Sequence, residues 1–122
     1  MRAAKSWRGQ LNVAFTRVCD LHDVPVDTME SFFVDDVEVL VVHGGSGLHA
    51  FDGICPHEEF PLVDGYLDGS TIVCSGHGWI FDAMTGQAVY PLGCRLTEYP
   101  LRVDSGGIYV DVDSVQPVPN SR

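Results

Sequence analysis

Two short segments, each with one cysteine and one histidine, constrain this chain more than any other feature of its sequence. The first reads Cys-Pro-His over residues 55–57, and the second reads Cys-Ser-Gly-His over residues 74–77, with sixteen residues between them. Each lies among glycine and proline residues beside a candidate strand, so each is expected to form a tight loop. Two such loops can hold one metal centre between them, because thiolate and imidazole groups are suitable ligands for iron and zinc.

The four side chains Cys55, His57, Cys74 and His77 could serve two kinds of metal centre. A structural zinc ion would take all four in one tetrahedral site, but zinc fingers usually begin with a closely spaced pair of cysteines. A two-iron, two-sulfur cluster would divide them, with both cysteines on one iron and both histidines on the other. The observed spacing favours the iron–sulfur cluster, and a zinc-stapled structural or interaction module is the alternative.

The length and composition predict a single soluble domain. A chain of 122 residues fits one domain, and no apolar run approaches the roughly 20 residues that a membrane helix needs. No apolar stretch follows the basic residues near the N-terminus, so no secretory signal is predicted. We therefore expect a cytoplasmic protein in which Cys19 and Cys94, outside the two segments, are buried thiols; a disulfide between them is the alternative, and a reducing compartment argues against it.

The chain is strongly acidic. Seventeen Asp and Glu residues against seven Lys and Arg residues give a net charge of −10 at pH 7. Phosphate groups would be repelled, so nucleic acid is not an expected partner. The charge could serve solubility alone, or it could steer the protein toward a basic partner surface.

Short β-rich runs alternate with turn signals along the chain, which is typical of an all-β domain. Residues 30–34 and 37–43 flank Asp35 and Asp36 and predict a hairpin. Further strands are predicted at residues 12–18, 48–52, 70–74, 79–82, 99–103 and 108–112, and one helical turn within residues 21–26. We expect an N-terminal extension at residues 1–11, one domain over residues 12–115 and a loose tail at residues 116–122.

The residues around the two segments resemble the signature of Rieske proteins. After the second segment the family has a glycine and an aromatic-rich strand, and here Gly78 is followed by Trp-Ile-Phe-Asp at residues 79–82. The turn at residues 85–86, the loop with Pro91 and the Tyr-Pro-Leu-Arg-Val run at residues 99–103 follow in the family's order. The resemblance spans residues 15–112. Residues 17–19 and 94–100 are most similar to the ferredoxins of toluene monooxygenase systems.

This resemblance implies a Rieske fold, which is an antiparallel β-sandwich with a small cluster-binding subdomain of two loops at one tip, about residues 53–93. It implies one [2Fe–2S] cluster per chain, with Cys55 and Cys74 on the inner iron and His57 and His77 at an exposed edge. It also implies a monomeric electron carrier without catalytic residues of its own. No catalytic arrangement is evident in the sequence.

The resemblance also implies the partners. The chain would accept electrons from an NADH-dependent flavin reductase and pass them singly to a multicomponent diiron monooxygenase of aromatic or alkene hydrocarbons. The alternative acceptor is a Rieske ring-hydroxylating dioxygenase. Neither membrane nor nucleic acid is an expected partner.

The residues around the predicted cluster indicate a low reduction potential. High-potential Rieske relatives have a Ser and a Tyr hydroxyl near the cluster and a disulfide between the loops, whereas this chain has Trp79 and Phe81 at the hydroxyl positions and no bridging cysteines. Hydrogen bonds to the sulfur atoms stabilise the reduced state, so we predict a midpoint near the low end of the Rieske range, about −150 mV. A midpoint above zero in a redox titration would contradict this prediction.

Overall fold

The computed structural model describes residues 14–57, 59–76 and 78–115. These residues form eleven strands and two single-turn 3-10 helices, which confirms the predicted all-β class. The extension at residues 1–11, the tail at residues 116–122 and the start of the first predicted strand lie outside the described residues. The strands are β1 (Thr16–Asp20), β2 (Thr28–Val34), β3 (Val37–Gly44), β4 (Gly47–Asp52), β5 (Tyr66–Asp68), β6 (Thr71–Val73), β7 (Ile80–Asp82), β8 (Ala88–Tyr90), β9 (Glu98–Tyr99), β10 (Leu101–Asp104) and β11 (Gly107–Val110).

The strands form three antiparallel sheets. Their orders are β1-β11-β10 in the first sheet, β2-β3-β4-β9 in the central sheet and β5-β6-β7-β8 in the third. The first and central sheets enclose one hydrophobic core, and the central and third sheets share a second. The sandwich predicted from the resemblance is therefore formed by the first two sheets, and the third sheet is the small subdomain that carries the two cysteine–histidine segments.

Strand β3 is buried on both faces and separates the two cores. Its residues Val39, Leu40, Val41 and Val42 are all fully buried. Successive side chains of a strand point to opposite faces of the sheet. Val39 and Val41 thus belong to the sandwich core, while Leu40 and Val42 belong to the core that contains the two predicted cysteine ligands.

Two tight turns with left-handed backbone conformations set the register of the hairpins. Val34 pairs with Val37, which confirms the hairpin predicted at Asp35 and Asp36. In its turn Asp35 has a φ of 55°. β10 and β11 are joined by a second turn, in which Ser105 and Gly106 have φ values of 53° and 79°. Both φ values in this turn are positive, as in the tight turns that match the twist of paired strands.

The strand predicted over residues 99–103 is wrong as a single element. Tyr99 pairs with Ala50 in the central sheet, whereas Leu101 pairs with Val110 in the first sheet. Pro100 lies between them, and a proline has no N–H to donate to a β-ladder, so the chain changes sheets at this residue.

The sequence also failed to predict β5 and β8, which are three residues each and lie at the edges of the third sheet. Runs this short carry little periodicity, and the equally short β6 and β7 were predicted because they flank the second cysteine–histidine segment. The helical turn predicted within residues 21–26 is present as the 3-10 helix Leu21–Asp23. No helix in the described part of the chain is long and apolar enough to cross a membrane.

The two cores allow a matched test of which one supports the metal centre. Leu40 and Ile108 are both fully buried, in the cluster-side core and the sandwich core respectively. Leu40→Ala and Ile108→Ala should each lower the free energy of unfolding by about 2–5 kcal/mol, measured by urea denaturation. Only Leu40→Ala should also speed loss of the visible absorbance of the predicted cluster, because its core contains Cys55 and Cys74. Equal rates of loss in the two variants would contradict this assignment.

Candidate metal centre

The two predicted segments form loops at the third sheet. The first loop, residues 55–60, lies between β4 and β5, and the second loop, residues 74–79, joins β6 to β7. The first loop carries Cys55 and His57, and the second carries Cys74. His77 lies outside the described residues, so its place in the site stays a prediction.

The first loop is closed by its own backbone. The N–H of Cys55 donates a hydrogen bond of 2.9 Å to the carbonyl of Phe60, and Ile54 and Pro61 form an antiparallel bridge. The carboxylate of Asp52 accepts a hydrogen bond of 3.1 Å from the N–H of Ile54. These bonds fix Cys55 at the point where the chain leaves the central sheet.

The second loop is closed in the same way. The N–H of Cys74 donates to the carbonyl of Trp79 at 2.8 Å, and the N–H of Gly78 donates to the carbonyl of Cys74 at 3.1 Å. Gly78 has a φ of 72°, a conformation that favours glycine. The N–H of Gly76 lies 3.5 Å from the Sγ atom of Cys74 and donates a hydrogen bond to it. A backbone donor aimed at sulfur is a feature of thiolates that bind iron–sulfur clusters.

The two cysteines lie deeper than the histidine. Cys55 and Cys74 are 0% and 1% exposed and belong to the same core, and neither forms a disulfide. His57 is half-buried. This arrangement agrees with cysteines on an inner iron and a histidine nearer the surface, and the donor types fit a mixed cysteine–histidine cluster.

Trp79 explains why His57 is less exposed than expected. The rings of Trp79 and His57 are stacked, with centroids 4.4 Å apart and an angle of 21° between their planes. The centroids of the Trp79 ring and the buried Phe81 ring are 6.4 Å apart. Trp79 thus packs against one predicted ligand, and neither aromatic side chain offers a hydroxyl group.

The remaining cysteines are not part of either loop: Cys19 lies in the sandwich core, and Cys94 packs against the core that contains Cys55 and Cys74. Cys19 is buried in the sandwich core, and burial raises the pKa of its thiol to about 11. Cys94 is half-buried, and burial also raises the pKa of its thiol. Both are free thiols, so no disulfide joins them. At neutral pH both thiols stay protonated.

The remaining histidines have other contacts, as their lack of ligand spacing predicted. The Nδ1 atom of His43 lies 2.7 Å from the carbonyl oxygen of Val24, and that of His49 lies 3.0 Å from the carboxylate of Glu98. His22 is exposed beside two aspartates at the 3-10 helix. None of the three lies in either loop.

The contact between the two loops was missed from the sequence. The ring of Phe60 in the first loop packs on the backbone of Gly76 in the second. A glycine between two predicted ligands was the only available signal, and it did not indicate which side chain would lie against it.

A family model described as the Rieske [2Fe-2S] domain matches residues 14–100. The chain therefore belongs to the Rieske [2Fe–2S] family. The ferredoxin component of the alkene monooxygenase system of Xanthobacter autotrophicus strain Py2 is 33% identical over 105 residues, which cover 85% of this chain and 86% of that protein. The ferredoxin subunit of 3-phenylpropionate/cinnamic acid dioxygenase of Escherichia coli K12 is 32% identical over 102 residues, which cover 81% and 94%.

Solved structures agree with this assignment. The ferredoxin of Sphingomonas yanoikuyae B1 is 27% identical and superposes with a TM-score of 0.73, over 80% of this chain and 97% of that one. The ferredoxin of carbazole 1,9a-dioxygenase from Nocardioides aromaticivorans IC177 is 31% identical with the same TM-score and coverage. The predicted Rieske fold and [2Fe–2S] cofactor are confirmed, and the chain is an electron-carrying ferredoxin.

The four cysteines provide a matched test of the ligand assignment. Cys55→Ser and Cys74→Ser should abolish the visible absorbance and the EPR signal of the dithionite-reduced protein, because each removes a thiolate ligand. Cys19→Ala and Cys94→Ala should retain both signals, since neither residue belongs to the cysteine–histidine loops, although Cys94 packs against the same core as Cys55 and Cys74. The iron and sulfide content of each variant after anaerobic purification shows whether it still binds the cluster. A colourless wild-type protein with stoichiometric zinc would contradict the assignment.

Proposed function

We propose that this ferredoxin carries single electrons from an NADH-dependent flavin reductase to a multicomponent diiron monooxygenase, as a monomer in the cytoplasm. The observation that carries the proposal is the position of the buried Cys55 and Cys74 behind the half-buried His57, in a chain similar to a monooxygenase ferredoxin. We propose Cys55, His57, Cys74 and His77 as the cluster ligands. The chain itself has no catalytic role, and substrate oxidation belongs to the acceptor.

The monooxygenase is favoured by the alkene monooxygenase relative, whose match covers more of this chain than that of the dioxygenase relative. A ring-hydroxylating dioxygenase is the second candidate. It is supported by the dioxygenase ferredoxin of Escherichia coli, at almost the same identity. The role of electron carrier is common to both candidates.

Residues of this chain determine how an electron enters and leaves. When bound, the cluster takes up and releases one electron. The fully buried Cys55 and the nearly fully buried Cys74 keep water from the inner side, and the stacked ring of Trp79 covers one face of His57. A partner that packs against His57 would approach the cluster through one imidazole ring and not through the hydrophobic core. The histidine side is therefore the shorter route for electron transfer.

Exposed apolar side chains on this subdomain offer a surface for such a partner. Phe60, Tyr90 and Leu92 are 39%, 64% and 82% exposed. Tyr90 pairs with Ile80, directly after the second loop. Exposed apolar groups of this size are typical of interaction sites. The net charge of −10 complements a basic acceptor surface, and exposed Glu59 contributes to it within the first loop.

Stopped-flow oxidation of the reduced protein tests the partner. The oxygenase of the Xanthobacter alkene monooxygenase should oxidise it with a higher second-order rate constant than the oxygenase of the Escherichia coli dioxygenase. The reverse order would favour the dioxygenase candidate. Oxidation by neither oxygenase, with intact absorbance, would contradict both.

The same measurement tests docking through the first loop. Glu59→Gln should slow oxidation a few-fold at low salt, because a charge at the rim of an interface mainly changes the association rate. The difference should shrink at high salt, where charges are screened. The control is Glu30→Gln on β2, which removes a carboxylate that is also exposed but lies in neither loop. Equal rates for both variants, with unchanged absorbance, would exclude Glu59 from docking.

A further inference from the structure

The ring of Phe60 lies directly on Gly76, across the gap between the two loops. A Cβ atom added at Gly76 would lie 2.5 Å from the Cδ2 atom and 2.7 Å from the Cε2 atom of that ring. Carbon atoms do not pack at these distances. Gly76 is not among the glycines with a positive φ, so the ring, and not the backbone conformation, requires glycine here.

Both ends of this contact are bonded to a predicted ligand. The carbonyl of Phe60 accepts the hydrogen bond from the N–H of Cys55 at 2.9 Å. The N–H of Gly76 donates to the Sγ atom of Cys74 at 3.5 Å. The ring therefore connects the residue that anchors one cysteine to the residue that donates to the sulfur of the other.

We propose that Phe60 is a positioning residue that clasps the two loops together and holds the N–H of Gly76 against the sulfur of Cys74. The inference rests on the proposed role of Cys74 as a ligand. None of the cysteines in the described residues forms a disulfide, so no such bond joins the loops. The Phe60–Gly76 contact supplies a noncovalent connection between them.

The Phe60–Gly76 contact should affect the reduction potential of the cluster as well as the position of the loops. A hydrogen bond donated to a ligand sulfur stabilises the added electron, and so it raises the reduction potential. Without the ring, Gly76 can move away from Cys74 and the bond weakens. Loss of Phe60 should therefore lower the potential, which loss of packing elsewhere in the protein would not do.

The first test compares two phenylalanine deletions in the intact ferredoxin. Phe60→Ala should lower the midpoint potential and speed loss of the visible absorbance to an iron chelator. Phe33→Ala is the matched control, since Phe33 is 71% exposed on β2 and lies in neither loop. It should leave the midpoint potential unchanged. Phe60→Leu should lower the midpoint potential by a smaller amount. It is the variant to measure if Phe60→Ala does not bind a cluster.

The second test uses the space that the ring fills. Gly76→Ala places a methyl group in the space occupied by the ring of Phe60. It should therefore separate the two loops and speed loss of the visible absorbance of the cluster. The double variant Phe60→Ala/Gly76→Ala should lose absorbance more slowly than Gly76→Ala alone, because the methyl group then has room. Such non-additivity is expected of residues in contact and not of distant, independent sites.

The outcomes separate this inference from the function on which it rests. A wild-type protein without a Rieske absorption and EPR spectrum would overturn the ligand assignment, and the inference with it. A normal wild-type spectrum with an unchanged midpoint potential in both Phe60→Ala and Phe60→Leu would overturn the inference alone. Additive effects of the Phe60 and Gly76 substitutions would also overturn it.

Discussion

The burial of β3 on both faces is the constraint on which the rest of the structure depends. One face of the strand belongs to the sandwich core, and the other belongs to the core that holds Cys55 and Cys74. The core behind the predicted metal-binding loops is thus joined to the sandwich core through β3. A small subdomain of three-residue strands could not hold two thiols in place alone, because so short a sheet buries little apolar surface.

Much of the fold follows from signals that are local in the sequence. The hairpin at Asp35 was predictable because turn residues lie between two β-rich runs. The chain's change of sheet at Pro100 was not predicted, although proline is a known obstacle to pairing, because nothing local says which sheet each half joins. The order of strands depends on contacts between distant residues, and a single sequence does not contain that information in readable form.

The type of metal centre was predictable because it depends on which residues are present and how they are spaced. The spacing of the cysteines and histidines indicated the cluster, and the family match supports that interpretation. The depth of Cys55 and Cys74 and the packing of Trp79 also agree with expectation. The stacking of Trp79 on His57 and the seating of Phe60 on Gly76 could not be predicted, because each depends on how two loops far apart in the sequence meet.

The high pKa of Cys19 has a consequence for the proposed role of the protein as a donor to an oxygenase. At pH 7 a thiol with a pKa of about 11 is ionised in roughly one molecule in ten thousand, and the thiolate is the form that oxidants attack. Cys19 is also almost fully buried. A cysteine that fills space in the sandwich core can thus survive close to an oxygenase without being converted to a sulfenic acid.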